Sequence, residues 1–108
     1  MQDRRSGQER RSIQRSTVDV AIQWETALTG RQPGTLSDVS YDGCFILCSG
    51  DVEDGDDVKI FIPLGEGMKV QFDGRIANHV FEIGFGVKFA PLSQAQKEIL
   101  TKLVREQG

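Results

Sequence analysis

The feature that most constrains the fold is a two-residue alternation of apolar and polar side chains, which returns in short segments along the chain. In residues 18–24, Val18, Val20, Ile22 and Trp24 fall on one face. A period of two is that of a β-strand with one buried face. The same strand character returns in five further segments, residues 35–39, 44–47, 58–63, 68–80 and 83–90. The sequence therefore predicts six short strands.

The segments between these strands carry residues that typically form turns. Gly30, Pro33 and Gly34 predict a loop after the first strand. Residues 40–43, Ser-Tyr-Asp-Gly, predict a tight turn after the second. The Asp-Gly pair at residues 73–74 interrupts a long strand, which predicts a β-bulge.

A single helix is predicted at the C-terminal end, over residues 93–105. Pro91 ends the last strand, and Ser93 followed three residues later by Gln96 has the pattern of a capping box. Four apolar residues then follow at helical spacing, Ile99, Leu100, Leu103 and Val104. The chain is thus predicted to be all-β with one C-terminal helix, as a six-stranded antiparallel β-barrel whose closure removes exposed edges.

The N-terminal residues differ in composition from the rest of the chain. Residues 1–15 contain five arginines, no lysine and two acidic residues, which gives this segment a net charge of +3. Because the whole chain has a net charge of −3, residues 16–108 have a net charge of −6. Met1 and Ile13 are the apolar residues of this segment. We therefore expect residues 1–16, the arginine segment, to form a flexible arm that meets an anion, and residues 17–108 to form the barrel domain.

Several functional classes are disfavoured. The one histidine, His79, lacks a nucleophilic partner in a recognisable motif, so no enzyme and no catalytic residue is predicted. His79, Cys44 and Cys48 lack metal-ligand spacing, so no metal site is predicted. The cysteines are expected to be free thiols, no apolar run is long enough for a membrane span, and a cytoplasmic location is expected. No protein-bound cofactor is predicted.

Two clusters of residues favour a binding function. The first, Arg10-Arg11-Ser12-Ile13-Gln14-Arg15, places guanidinium groups four residues apart; the second, residues 38–43, combines Asp38, Ser40 and Gly43 at a strand end. Arginine binds phosphates and the O6/N7 edge of guanine in a bidentate way. A carboxylate suits the opposite guanine edge, a hydroxyl suits a phosphate or ribose, and glycine permits a positive φ or a close-lying base. Together these groups match a guanine nucleotide diester.

The ordered pair of clusters resembles the PilZ domain family, whose signatures are RxxxR followed by [D/N]xSxxG. Residues 11–15 and 38–43 match them in full, Gly84 to Phe89 is similar to the last strand of the family, and the resemblance covers residues 9–105. It implies a receptor for cyclic di-GMP, whose arginine segment wraps over a ligand on the barrel surface and thereby changes a surface for a protein partner.

The resemblance also implies a role for each motif residue. Arg11 and Arg15 would hold phosphates and guanine edges, and Asp38 would bind a guanine donor edge. Ser40 would support the phosphate side, and Gly43 would let a base approach. Arg10 makes the motif RRxxxR, which in this family goes with a stacked ligand dimer and so allows two ligands per protomer.

Two alternatives remain open at this point. One is a PilZ-like adaptor that works through protein contacts without a nucleotide, although the arginine motif is usually missing from such members. The other is a small nucleic-acid-binding barrel, which needs aromatic residues among basic ones on one face. The phenylalanines instead fall in apolar strand patterns and are interpreted as core, and the acidic barrel domain disfavours a nucleic-acid partner.

Overall fold

The structure, a computed structural model, describes residues 15–107. It contains six strands and one C-terminal helix, α1 (Gln94–Gln107). The strands are β1 (Ser16–Thr26), β2 (Gly30–Val39), β3 (Gly43–Leu47), β4 (Asp57–Gly65), β5 (Met68–Val80) and β6 (Gly84–Phe89). They close into an antiparallel barrel in the order β1-β2-β3-β6-β5-β4. The predicted fold class is confirmed.

The barrel interior is filled by the apolar residues of the alternating pattern. Trp24 is fully buried, and its ring meets Phe85 edge-on with centroids 4.9 Å apart. The indole Nε1–H, the polar atom of this large side chain, donates a hydrogen bond to the carbonyl oxygen of Pro33 at 3.2 Å. Burial of Trp24 therefore leaves no unpaired indole donor.

The loop predicted at Gly30, Pro33 and Gly34 is wrong, because β2 runs through all three residues. Pro33 pairs with Gln23 of β1, whereas the pairing of β2 with β3 begins only at Thr35. The missing Pro33 N–H is therefore tolerated at a position without a partner strand on the β3 side. A Cβ atom at Gly34 would lie 2.8 Å from Ile46 Cγ2 and 3.1 Å from Trp24 Cδ1, so this glycine makes room for the core.

The bulge predicted at residues 73–74 is also wrong. Asp73 and Gly74 pair regularly with Lys59 and Val58 of β4. A Cβ atom at Gly74 would lie 2.6 Å from the Lys88 carbonyl oxygen, so close approach to β6 explains this glycine. The β5 irregularity lies instead at Ala77, in the pairing with β6.

The core interpretation of the phenylalanines holds for half of them. Phe72, Phe85 and Phe89 are buried, whereas Phe45 and Phe61 are half-buried on the outer face. Phe81 is 71% exposed in the turn between β5 and β6. The alternation rule fails for Phe81 because the residue lies beyond the end of its strand.

Helix α1 begins with the predicted capping box. The Ser93 N–H donates to Gln96 Oε1 at 2.9 Å, and the Gln96 N–H donates to Ser93 Oγ at 3.1 Å. The helix buries Leu100 completely and contacts β1. The Thr101 Oγ1 atom of this helix lies 2.5 Å from the Tyr41 Oη atom. This hydrogen bond joins the helix to the turn after β2. None of the described helices is long and apolar enough to cross a membrane.

Candidate functional site

The two sequence clusters meet at an ion pair on the outer face of the barrel. Arg15 precedes β1, and Thr17 pairs with Asp38 of β2, so the end of the arginine segment lies beside the second motif. The Arg15 Nη1 group donates to Asp38 Oδ1 at 2.5 Å. The side chains of Arg15 and Asp38 are 56% and 29% exposed. Arg10 and Arg11 lie outside the described residues, so their predicted roles stay predictions.

A β-bulge turns Asp38 toward the outer face. Leu36 pairs with Ile46, but Asp38 rather than Ser37 pairs with Phe45, so Ser37 is the extra residue. Regular alternation from the buried Leu36 would point Asp38 into the core. The bulge instead places Asp38 outside and returns Val39 to the core, where Val39 is fully buried.

Ser40 stabilises the turn of residues 40–43, here called the motif turn. Its backbone N–H donates to the Gly43 carbonyl oxygen at 2.8 Å. Its hydroxyl accepts hydrogen bonds from the N–H groups of Asp42 at 3.1 Å and Gly43 at 3.4 Å. Ser40 is only 7% exposed. The hydroxyl thus shapes the turn beside Asp38, and its contact with a phosphate stays a prediction.

Gly43 is needed at its position for a reason other than a positive φ. Its φ lies outside the left-handed region, so the first of the two reasons given above for a glycine here does not apply. A Cβ atom here would overlap the carbonyl oxygen of Val87 on β6. The glycine of the second motif therefore lets β3 and β6 lie in contact directly below the site, and the approach of a base to it stays a prediction.

The same face carries basic residues that the sequence motifs did not identify. Lys88 of β6 pairs with Gly43 on one side and with Arg75 of β5 on the other, and both basic side chains are exposed. Arg75 Nε donates to Asp57 Oδ1 at 3.1 Å. A groove of about 790 Å³ lies beside them. Sequence reasoning could have identified these residues, because Lys88 and Arg75 fall at outward positions of the apolar–polar alternation in β6 and β5.

Among residues 15–107, no three His, Cys, Asp or Glu side chains group together as metal ligands do. The thiol beneath the site belongs to Cys44 on the inner face of β3. Burial raises the pKa of Cys44 strongly, the nearby Asp38 carboxylate raises the pKa further, and Arg15 lowers it. Burial also raises the pKa of the half-buried Cys48.

The Cys44 thiol is expected to make the barrel less stable at alkaline pH. Its folded pKa lies above the unfolded value of about 8.5, so its contribution to stability is fully present below that value and is lost as pH rises through the folded pKa. Chemical denaturation between pH 8 and 10 measures how steeply the free energy of unfolding falls with pH. We expect this fall to be shallower in Cys44→Ala. Cys48→Ala is the comparison: this thiol is only half-buried, so its removal should change the pH dependence less than removal of Cys44 does. An equal pH dependence in wild type and Cys44→Ala would show that the Cys44 thiol does not cause the loss of stability.

The sequence and the barrel fold both have counterparts among known proteins. The family model of the PilZ domain matches residues 9–106. The crystal structure of the PilZ domain of CeSA from a cellulose-synthesizing bacterium is similar, with a TM-score of 0.66, 18% identity and coverage of 86% of this chain and 96% of that one. The structure of the Bacillus subtilis inhibitor of motility, MotI/DgrA, has a TM-score of 0.69 and 12% identity and covers 99% of this chain and 52% of that one. No curated protein sequence matches.

At these identities the two solved structures establish the fold alone. The family model carries more weight, because it spans both motifs, the barrel and nearly all of helix α1. The chain therefore belongs to the PilZ domain family, a family of cyclic di-GMP receptors that act as binding and adaptor domains.

Proposed function

We propose that this protein is a cytoplasmic cyclic di-GMP receptor, without enzymatic activity, that binds its ligand on the outer face of the barrel at Arg15 and Asp38. The observation that carries the proposal is the contact between these two side chains, because it joins the RxxxR and [D/N]xSxxG motifs at one place. Both side chains are open to solvent, so a ligand has access to them.

The energies favour exchange of the ion pair for ligand contacts. A solvent-exposed ion pair contributes about 0–1 kcal/mol. A hydrogen bond from the arginine guanidinium to the O6/N7 edge of guanine, as a bond made by a charged group, contributes about 1.5–3 kcal/mol, and a carboxylate accepts hydrogen bonds from the N1–H and N2–H groups of the opposite edge. Breaking the contact between Arg15 and Asp38 is therefore offset when both groups bind nucleotide.

The rest of the arginine segment completes the proposed site. Arg11 binds a phosphate or guanine edge together with Arg15, and Arg10 provides the further guanidinium that a second, stacked ligand needs. Ser40 and Gly43 hold the motif turn in place beside Asp38. Ser40 also supports the phosphate side of the ligand. Ligand binding orders residues 1–16 over the barrel, and this change alters the surface offered to a protein partner.

One further observation favours a protein partner. Val80, Phe81 and Ile83 in and beside the turn between β5 and β6 are 38%, 71% and 54% exposed. Exposed apolar residues that lie together are typical of protein contact surfaces. The adaptor that binds no nucleotide remains the second candidate function, and the titration described next distinguishes the two.

Removal of residues 1–12 is expected to abolish cyclic di-GMP binding while the barrel stays folded, because Arg10 and Arg11 are lost but every described strand is kept. Isothermal calorimetry measures the affinity, and circular dichroism checks the fold. A chain lacking residues 1–8 is the matched control, since it loses Arg4 and Arg5 but keeps both motifs. Unchanged affinity after removal of residues 1–12, or no binding by the full chain at millimolar nucleotide, would refute the proposal.

A further inference from the structure

Four apolar side chains are exposed together at one end of the barrel. Because all strand pairs are antiparallel, the β5–β6 turn and the β3–β4 connection lie at the same end, and the motif turn lies at the other. Seven large apolar side chains are exposed among residues 15–107, and four of them lie in or directly beside the β5–β6 turn. These four, here called the apolar end patch, are Leu47, Val80, Phe81 and Ile83, which are 42%, 38%, 71% and 54% exposed. A cluster of this kind marks a contact surface, whereas single exposed apolar residues need no explanation.

The strand register makes the apolar end patch continuous. Gly84 of β6 pairs with Leu47 on one side and with Val80 on the other, and paired residues of neighbouring strands carry their side chains on the same face. Gly84 has no side chain, and a Cβ atom there would overlap a carbonyl oxygen of β3. Leu47 and Val80 therefore lie two strand spacings apart, about 10 Å, with only the backbone of β6 between them.

The β3–β4 connection, residues 48–56 and here called the acidic link, is held against this patch. The Cys48 N–H donates to the Ile83 carbonyl oxygen at 3.0 Å, and the Gly55 N–H donates to the Ile76 carbonyl oxygen at 2.7 Å. The acidic link is thus tied to the β5–β6 turn at one end and to β5 at the other. It therefore crosses this end of the barrel beside the exposed apolar residues.

The charges in the acidic link and the β5–β6 turn all have the same sign. Neither segment contains a lysine or an arginine, and together they contain five acidic residues, Asp51, Glu53, Asp54, Asp56 and Glu82. Asp56 is half-buried, and the other four are exposed. Within the part of the chain that the structure describes, none of the five forms an ion pair. The apolar end patch therefore has an acidic border whose charge is not compensated.

An apolar patch with an acidic border selects one class of partner. A second copy of the chain would bring the same border against itself across a two-fold axis, which places like charges together. Nucleic acids and anionic lipid surfaces carry the same sign of charge as the border and are disfavoured for that reason. A cationic protein segment gains attraction at the border and apolar contact at the centre, as in interfaces with an apolar core and a polar rim.

We propose that the apolar end patch binds a cationic amphipathic segment of a protein partner. Apolar side chains of the segment fill the gap over Gly84 and contact Phe81 and Ile83, and its lysine or arginine side chains lie beside the acidic link. This inference rests on the proposed function for the existence of a protein partner, and it adds the chemistry of that partner. Because the patch lies at the end of the barrel opposite the motif turn, partner binding does not itself require bound nucleotide.

A short synthetic peptide that alternates leucine and lysine is the probe, and amide NMR spectra of the isotope-labelled full chain map its contacts. We expect the shift changes to be centred on residues 47–56 and 76–84. A peptide with glutamate in place of lysine and a peptide with serine in place of leucine should both bind far more weakly, because each lacks one of the two contacts. Shift changes centred elsewhere, equal binding of the glutamate peptide, or no binding of the leucine–lysine peptide at millimolar concentration would overturn the proposal.

Two matched pairs of variants assign the contacts. Phe81→Ser should weaken binding of the leucine–lysine peptide at least tenfold, as loss of a central aromatic contact does. Met68→Ser should leave it unchanged, since Met68 is 61% exposed but lies beside the β4–β5 turn, at the other end of the barrel. Glu82→Gln should weaken binding about twofold to fivefold at low salt, whereas Glu66→Gln, in the β4–β5 turn and with a similar φ of 54° against 63°, should not. Wild-type affinity in Phe81→Ser would exclude the patch.

Titration of the same chain with cyclic di-GMP separates this inference from the receptor function. If the nucleotide binds and the leucine–lysine peptide does not, the inference fails alone. If the peptide binds at the patch and the nucleotide does not, the patch is supported and the receptor function fails. Sedimentation of the full chain tests another cationic occupant, the arginine segment of a second copy. Self-association that is lost both in Phe81→Ser and after removal of residues 1–12 would assign the patch to that segment and overturn the proposal.

Discussion

Replacement of Arg15 by alanine is expected to weaken cyclic di-GMP binding at least a hundredfold while the barrel stays folded. The substitution removes a charged hydrogen-bond donor, and such a bond contributes about 1.5–3 kcal/mol. It also removes the positive charge that lies between the Asp38 carboxylate and the ligand phosphates, which leaves like-charge repulsion between them. Each 1.4 kcal/mol is about tenfold in affinity, so the two effects together reach the stated loss. Calorimetry measures the affinity.

Arg31→Ala is the matched control for Arg15→Ala. Arg31 forms a comparable ion pair, with Nε 3.0 Å from Glu25 Oε1, and its side chain is 44% exposed against 56% for Arg15. It lies away from both motifs, at the β1–β2 turn, so its loss should leave the affinity unchanged. Arg15→Lys keeps the charge without the planar fork and should recover only part of the binding. Wild-type affinity in Arg15→Ala would exclude Arg15 from the site.

Replacement of Gly43 by alanine is expected to destabilise the barrel by more than about 2 kcal/mol, because overpacking in a close-packed contact costs about 1–3 kcal/mol or more. The added methyl group would overlap the Val87 carbonyl oxygen and separate β3 from β6. Any loss of ligand binding in this variant would therefore follow from the altered fold. Denaturant unfolding monitored by Trp24 fluorescence measures the change in the free energy of unfolding.

Gly55→Ala separates the steric overlap from the general effect of losing a glycine. Gly55 has φ +90°, and nothing lies within 4 Å of the position that a Cβ atom would occupy, so alanine there meets backbone strain alone. That strain costs about 1–2 kcal/mol. If Gly43→Ala is as stable as the wild type, the close contact between β3 and β6 is not a constraint on the motif glycine.

The alternation of apolar residues is a local signal, and the features that depend on it could be predicted. Val18, Ile22 and Trp24 fill the barrel as the period of two requires. The capping box at Ser93 and Gln96 could be predicted as well, because both partners of each hydrogen bond lie within one helical turn. The two motifs could be identified from short spacings, and Arg15 and Asp38 are indeed in contact.

Features set by contacts between distant residues could not be predicted from local patterns. Gly34, Gly43 and Gly74 are small because of neighbours on other strands, although local rules assign such glycines to turns or bulges. The bulges in β2 and β5 lie at Ser37 and Ala77, which carry no special residue type, so only the strand register reveals them. The outward position of Asp38 therefore has no signature in the local sequence pattern.

Closure of the barrel between β1 and β4 has a consequence for local opening. That seam contains three residue pairs, Gln23–Phe61, Trp24–Ile60 and Glu25–Lys59, whereas β1 and β2 share nine. Regions with few shared backbone hydrogen bonds open at lower free energy than the whole fold. Amide protons along this seam should thus exchange with solvent earliest among the strand pairs, while the β1–β2 ribbon that holds Arg15 against Asp38 stays protected. Thermal fluctuations of the barrel are in this way directed to the side that does not carry the proposed nucleotide site.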